Sequence, residues 1–294
     1  MRDEGRRMNF LFRYSSLIIH HSSLYSMRVL SALIFLPILL LIIWRGSPVY
    51  FSGLIFIAAI LGLIEYKNIA EQVGLKASSA PVFIAALAIL SSFYFHRPDL
   101  IVAALAALVI VELTAQLFTV QDLTKALAGA AGAVFGVAYV AVLGGYLIWL
   151  RQVDDHGVQL SAKLISLFFL VVFAGDTGAY YTGRTLGKNK LAPRISPGKT
   201  VEGSLGGLVA NVLAVVIAHF TFFPELNLVT AIPLALMMGS LGIIGDLCES
   251  MMKRGSHIKD AANIIPGHGG ILDRLDSILF NAPVLYYYYV LFLK

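Results

Sequence analysis

AKLISLFFLVVFAGDTGAYYTGRTLGKNKLAPRISPGKTVEGS, residues 162–204, begins as an apolar run, admits Asp176 into that run, and then becomes a basic segment carrying Lys188, Lys190, Arg194 and Lys199. About 20 predominantly apolar residues suffice for an α-helix to cross the hydrocarbon core of a bilayer. The opening of this stretch therefore predicts a membrane span over 162–181. An aspartate inside or near the end of such a span is costly, which makes Asp176 a candidate functional group.

The rest of the chain has the same character. Hydrophobic residues make up 58% and charged residues 13%, and the mean hydropathy is +0.81, whereas soluble domains run near 45–50% apolar and about 25% charged. Apolar runs separated by charge or turn residues predict about nine spans, at 29–44, 49–66, 80–96, 98–119, 127–150, 162–181, 203–223, 228–249 and 275–293. The expected fold is all-α and polytopic, with residues 27–294 as a single membrane domain. Residues 1–26 read as an N-terminal extension: either the true start is Met27, or this stretch is an Arg-bearing targeting segment or a disordered tail. Arg2, Arg6, Arg7 and Arg13 have no clean apolar core and small-residue cleavage site behind them, so a cleaved signal peptide is not expected. The run ALAGAAGAVFG, residues 126–136, suits close helix packing within the membrane.

With the N-terminus inside, seventeen Lys and Arg residues fall on the cytoplasmic side and five outside. Without the four arginines of the extension the balance is still thirteen to five. The positive-inside rule therefore favours a cytoplasmic N-terminus. The single cysteine, Cys248, excludes an internal disulfide, and no Cys/His cluster has zinc-ligand spacing. The net charge of +5 suits anionic head groups or nucleotide phosphates, although basic loops also serve topology alone.

Two polar loops, 174–204 and 245–277, carry the informative residues. In the first, Pro193, Pro197 and Gly198 shape a basic turn. PRISPGKT is not a phosphate-binding P-loop, because Pro193 stands where that pattern needs Gly. Ser196 and Thr200 either donate to a phosphate or cap a helix beginning near Val201, with Glu202 in its first turn. In the second, GDLCESMMKRGSHIKDAANIIPGHGGILDRLDS, Asp246 and Ser250 are four apart, Glu249 is three from Asp246, and Asp273 and Asp276 are three apart. On helices these spacings put each set on one face. Two such carboxylate faces suit Mg²⁺, which usually takes one or two protein carboxylates and fills its other positions with water and phosphate oxygens. Lys253, Arg254 and Lys259 lie between them. Gly267, Gly269 and Gly270 around His268 let the backbone approach an anion.

SMMKRGSHIKDAANIIPGHGGILDRLD, residues 250–276, resembles the signature of the phosphatidate cytidylyltransferases, through Ser250, Lys253, Arg254, Lys259, Asp260, Pro266, His268, Gly269, Gly270, Asp273, Arg274 and Asp276. The segment from Asp176 to Gly203 and the opening RVLSALIFLP from Arg28 are also similar to that family, so the likeness runs from Met27 to the C-terminus. The resemblance implies transfer of CMP from CTP to phosphatidic acid, with release of pyrophosphate, in phospholipid biosynthesis. It implies catalytic roles for Asp246, Asp273, Asp276, Lys259 and Asp260, with Asp246 and Asp273 holding Mg²⁺ and room for a second cation. Substrate contacts are implied for Asp176, Lys188, Ser196, Lys199, Thr200, Glu202, Ser250, Lys253, Arg254, His268, Gly269, Gly270 and Arg274. His268 is expected to position substrate or loop, because an ionised phosphatidate needs no strong base. The expected partners are CTP, phosphatidic acid and membrane lipids, not nucleic acid, with homodimerisation left open. The expected location is the cell (inner) membrane, with the site on its cytoplasmic side.

Three other classes make different demands on the sequence. A CTP-dependent lipid kinase would use similar loops but transfer the γ-phosphoryl group. The DG-x2-AR pattern of CDP-alcohol phosphotransferases is missing. A transporter would place substrate-binding charge near the midplane, whereas here charge gathers at one surface.

Overall fold

The computed structural model describes residues 35–119, 122–153, 159–256 and 270–294. The chain is a bundle of helices with one small β-hairpin. Helix α1 (Phe35–Trp44) turns directly into α2 (Pro48–Gln72), where Ser47 accepts a hydrogen bond from Val49 N and Pro48 takes the first helical position. Helices α3 (Ser79–Tyr94) and α4 (Pro98–Thr119) follow. Helix α5 (Leu123–Val137), capped by Asp122, runs through one π-helical turn at Ala138–Val142 into α6 (Leu143–Arg151). Then come α7 (Leu160–Leu186), strands β1 (Lys190–Ala192) and β2 (Ser196–Thr200), α8 (Val201–Thr221), α9 (Leu228–Gly255) and α10 (Leu272–Phe292). The strands pair antiparallel, Lys190 with Thr200 and Ala192 with Ser196.

Each of the nine predicted spans falls on one of these helical segments, α5 and α6 counting as one. Among the described residues six are long and apolar enough to cross a membrane: α2, α4, α5 with α6, α7, α8 and α9. Helices α1 and α3 are apolar but shorter. Helix α10 is 21 residues long and polar at its start, where Asp273, Arg274 and Asp276 lie. The protein is an integral membrane protein, and helices such as α4 present Val102, Ile110, Leu117 and Phe118 outward. The predicted loops are shorter than expected. Helix α7 continues to Leu186 and α9 to Gly255, and Asp176 and Asp246 are helical, as the spans 162–181 and 228–249 place them. Backbone hydrogen bonding continues past the point where apolarity stops, and apolarity is what the span limits tracked.

Two buried clusters organise the bundle. One gathers α1, the start of α2, α6, α7, α8, α9 and α10 around Phe168, Val171, Ala214 and Met238. The other gathers α2 to α6 and α10 around Leu63, Ile89, Phe93 and Val140. Helices α2, α6 and α10 contribute to both and join the halves. Gly136 and Gly145 allow this closeness, since a Cβ at either would collide with the ring of Tyr66 or Phe93.

Arg151, buried at the end of α6, donates from Nη2 to the carbonyls of Ile43 (3.1 Å) and Gly46 (2.7 Å) and from Nη1 to Ser161 Oγ (3.0 Å). It thereby satisfies carbonyls that the end of α1 leaves open. Arg151→Met is expected to destabilise the protein by about 3 kcal/mol, the scale of charge-assisted hydrogen bonds lost from buried acceptors. A lowered Tm in detergent checks this.

Candidate active site

The C-terminal ends of α7 and α9, the N-terminal ends of α8 and α10, and the hairpin meet at one end of the bundle. Between them lies a cavity of about 570 Å³. Four carboxylates line it: Asp176 from α7, Asp246 from α9, and Asp273 and Asp276 from α10. Strand β2 adds Ser196, Lys199 and Thr200, and α7 adds Tyr180 and Arg184. The cavity continues between the helices to Asn211 on α8 and Asn281 on α10. Gly175, Gly207, Gly239 and Gly242 line that deeper part. Side chains at Gly175 and Gly239 would run into Asn211, so glycine is what leaves room there.

The walls are fixed by local chemistry. Thr200 caps α8, its Oγ1 accepting from Gly203 N at 3.1 Å, so the capping alternative holds while the residue also faces the cavity. Glu202, in the first turn of α8, turns back to accept from Lys188 N (3.0 Å), Asn189 N and Asn189 Nδ2 (2.7 Å). That ties the end of α7 to the hairpin. Arg254 Nε donates to the carbonyl of Ile195 in the hairpin turn at 3.4 Å. These contacts hold β2 so that Lys199 Nζ reaches Asp246 Oδ2 at 2.5 Å.

A second ionic group stands beside the cavity. Lys253 Nζ lies 2.7 Å from Glu249 Oε2 and 2.8 Å from Asp273 Oδ1, while Asp273 Oδ2 accepts from Gly270 N at 3.3 Å. Lys253 therefore holds Asp273 from α9. Ser250 Oγ donates to Asp246 Oδ1 at 3.3 Å, as their spacing on one helix face predicts.

Of the residues singled out in the sequence, Asp176, Ser196, Lys199, Thr200, Asp246, Asp273 and Asp276 line the one cavity. Lys188, Glu202, Ser250, Lys253, Arg254 and Gly270 surround it and hold those that do. Arg274 sits in the first turn of α10. Lys259, Asp260, His268 and Gly269 lie outside the described residues. Sequence reasoning missed Arg184, Asn211 and Asn281 as lining residues and Glu249 as the partner of Lys253. The signal for the amides and for Glu249 was available: a polar or ionisable group within a predicted span is expensive and so informative.

No three His, Cys, Asp or Glu side chains among the described residues come together as a ready-made metal cage. The donor set nevertheless fits a hard cation that takes few protein ligands, since four carboxylate side chains share the cavity. Such a lining would repel a polyphosphate unless cations offset it.

Comparison with known proteins supplies the family. The model of the cytidylyltransferase family matches residues 26–292. The phosphatidate cytidylyltransferase of Haemophilus influenzae is 32% identical over 291 residues, covering 89% of this chain and 97% of that protein. That of Staphylococcus haemolyticus is 34% identical, covering 87% and 94%, and that of Synechocystis is 33% identical, covering 90% and 97%. With a family match over nearly the whole chain, and with carboxylates and lysine converging where the bundle's polar ends meet, this chain belongs to the cytidylyltransferase family, among the phosphatidate cytidylyltransferases.

Proposed function

We propose that the chain transfers CMP from CTP to phosphatidic acid in this cavity, producing CDP-diacylglycerol and pyrophosphate. The observation that carries this is the placement of four aspartates and Lys199 around one cavity at the polar end of membrane-crossing helices. A water-borne triphosphate and a lipid head group both have access to such a place. An oxygen of the phosphatidate phosphate attacks the α-phosphorus of CTP, and the bond from that phosphorus to the bridging oxygen of the β-phosphate breaks as pyrophosphate leaves. The nucleophile is already ionised, so the protein has no proton to remove. Its work is positioning and charge stabilisation, as is general for phosphoryl-type transfers.

Asp246 and Asp273 would hold Mg²⁺, with Asp276 close by. When bound, the ion neutralises and orients the triphosphate. Lys199 exchanges Asp246 for a phosphate oxygen, and Arg184 supplies a second cation at the cavity wall. Lys253 keeps Asp273 in place. The excess of Lys and Arg on this side of the bundle supports a cytoplasmic site, and the bacterial relatives support the inner membrane.

The test is incubation of the detergent-purified protein with α-labelled CTP, phosphatidic acid and Mg²⁺. Labelled CDP-diacylglycerol with equimolar pyrophosphate is expected. CDP together with a phosphorylated lipid would replace this proposal by a lipid kinase, and absence of nucleotide turnover would overturn it. Lys199→Met is expected to lower kcat/KM for CTP by about 100-fold, the usual scale for removing one charge-stabilising donor.

A further inference from the structure

Helix α10 carries two of the four cavity carboxylates, Asp273 and Asp276, in its first turns, yet it starts without a cap of its own. The residue at its N-cap position is Ile271, which offers no side-chain acceptor. The preceding residues are Gly269 and Gly270, so no Ser, Thr, Asp or Asn stands where one would normally take up the free N–H groups of the first turn. Those N–H groups go elsewhere. Ile271 N donates to Glu65 Oε1 at 2.8 Å and Leu272 N to Glu65 Oε2 at 2.7 Å. Glu65 belongs to α2, some 206 residues away in sequence, and is completely buried.

The surroundings make this a built contact. Gly62, one turn earlier on α2, faces the side chains of Leu275 and Leu272. Tyr66, next to Glu65, donates to the carbonyl of Gly132 at 2.9 Å and so anchors α2 to α5. The position and axial rotation of α10 at its start are therefore set from the N-terminal half of the chain. A buried carboxylate at a helix N-terminus also lies where the helix dipole favours negative charge.

We infer that Glu65 is a positioning residue of the active site: its carboxylate caps α10 from α2 and so sets where Asp273 and Asp276 stand relative to Asp246 and Lys199. This rests on the assignment of the cavity as the cytidylyltransferase site. It gives the N-terminal half a part in the chemistry beyond membrane anchorage.

The experiment compares E65Q and E65D with wild type, with E71Q as a control on the same helix, since among the described residues the Glu71 side chain pairs with Lys67 alone, on the surface of α2. Glutamine has one acceptor and turns its NH₂ toward the second backbone N–H, so it keeps the size and loses the double cap. For E65Q, kcat per folded molecule is expected to fall at least tenfold and the half-saturating Mg²⁺ concentration to rise at least threefold. Hydrogen exchange of the amides at 270–275 is expected to become faster. E65D keeps the charge but is one methylene shorter, and is expected to recover part of the loss. E71Q is expected to match wild type. A purely structural role would scale activity with the folded fraction and leave the Mg²⁺ dependence unchanged, and that result overturns the inference, as does unchanged exchange at 270–275. Should E65Q not be recovered folded, E65D against wild type decides by the same three readouts. If wild type itself makes no CDP-diacylglycerol, the functional proposal fails, whereas hydrogen exchange still decides the cap.

Discussion

Asp273→Asn is expected to lower kcat/KM by about 1,000-fold or more while the protein still folds. A factor of 1,000 corresponds to about 4 kcal/mol of lost transition-state stabilisation, a size in keeping with removing a charge that organises a polyphosphate site. The geometry gives the reason. One oxygen of Asp273 receives Lys253 and the other receives Gly270 N, and the side chain faces the cavity. Asparagine has nearly the same shape, so packing survives. Its neutral amide holds a cation far more weakly, and it turns an NH₂ toward one of the two donors. Lys253 is then left to Glu249 alone. Steady-state kinetics with a parallel Tm in detergent separates the outcomes. Near-normal activity would remove Asp273 from the reaction, and loss of folding without loss of specific activity would make it structural.

The second large effect concerns the frame. Gly178→Leu is expected to prevent recovery of folded protein or to lower its Tm by at least about 8 °C, following the usual relation between a few kcal/mol and Tm for a chain of this size. Helices α7 and α8 pack backbone to backbone near the site. A Cβ at position 178 would lie 2.5 Å from Ala210 Cβ and 2.8 Å from the carbonyl oxygen of Gly206. Opposite, a Cβ at Gly206 would collide with Thr182. A leucine forces the pair apart, and overpacking of this kind typically costs 1–3 kcal/mol and occasionally more. The displacement also moves Asp176, two residues from Gly178, away from the carboxylates of α9 and α10. Gly198→Ala, in the hairpin, is the contrasting variant, because a Cβ there meets no other atom within 4 Å. Thermal denaturation of the three proteins checks the claim.

The site was legible wherever one helix face was enough to define it. The four-residue step from Asp246 to Ser250 and the three-residue step from Asp273 to Asp276 predicted shared faces. Ser250 does bond to Asp246, and both aspartates of α10 do reach the cavity. The cap by Thr200 was open to the same local rule. The Lys199 to Asp246 pair and the Lys253 to Asp273 pair were not, because nothing in a local pattern says which of several lysines reaches which carboxylate. The family resemblance groups Lys253 with the substrate contacts. Its neighbours Glu249 and Asp273 give it a holding role that only their proximity reveals.

Composition and hydropathy by themselves determined that this is a helical membrane protein with its polar chemistry at the ends of the later helices. Burial of backbone polar groups in lipid leaves a hydrophobic chain few other folds, and periodicity reports each helix separately. What only the tertiary structure decided is which helix ends meet: that α7, α8, α9, α10 and a hairpin close around one cavity, and that a glutamate of α2 completes the start of α10. Such contacts join residues far apart in the chain, and side-chain packing between helices sets them, which no single helix encodes.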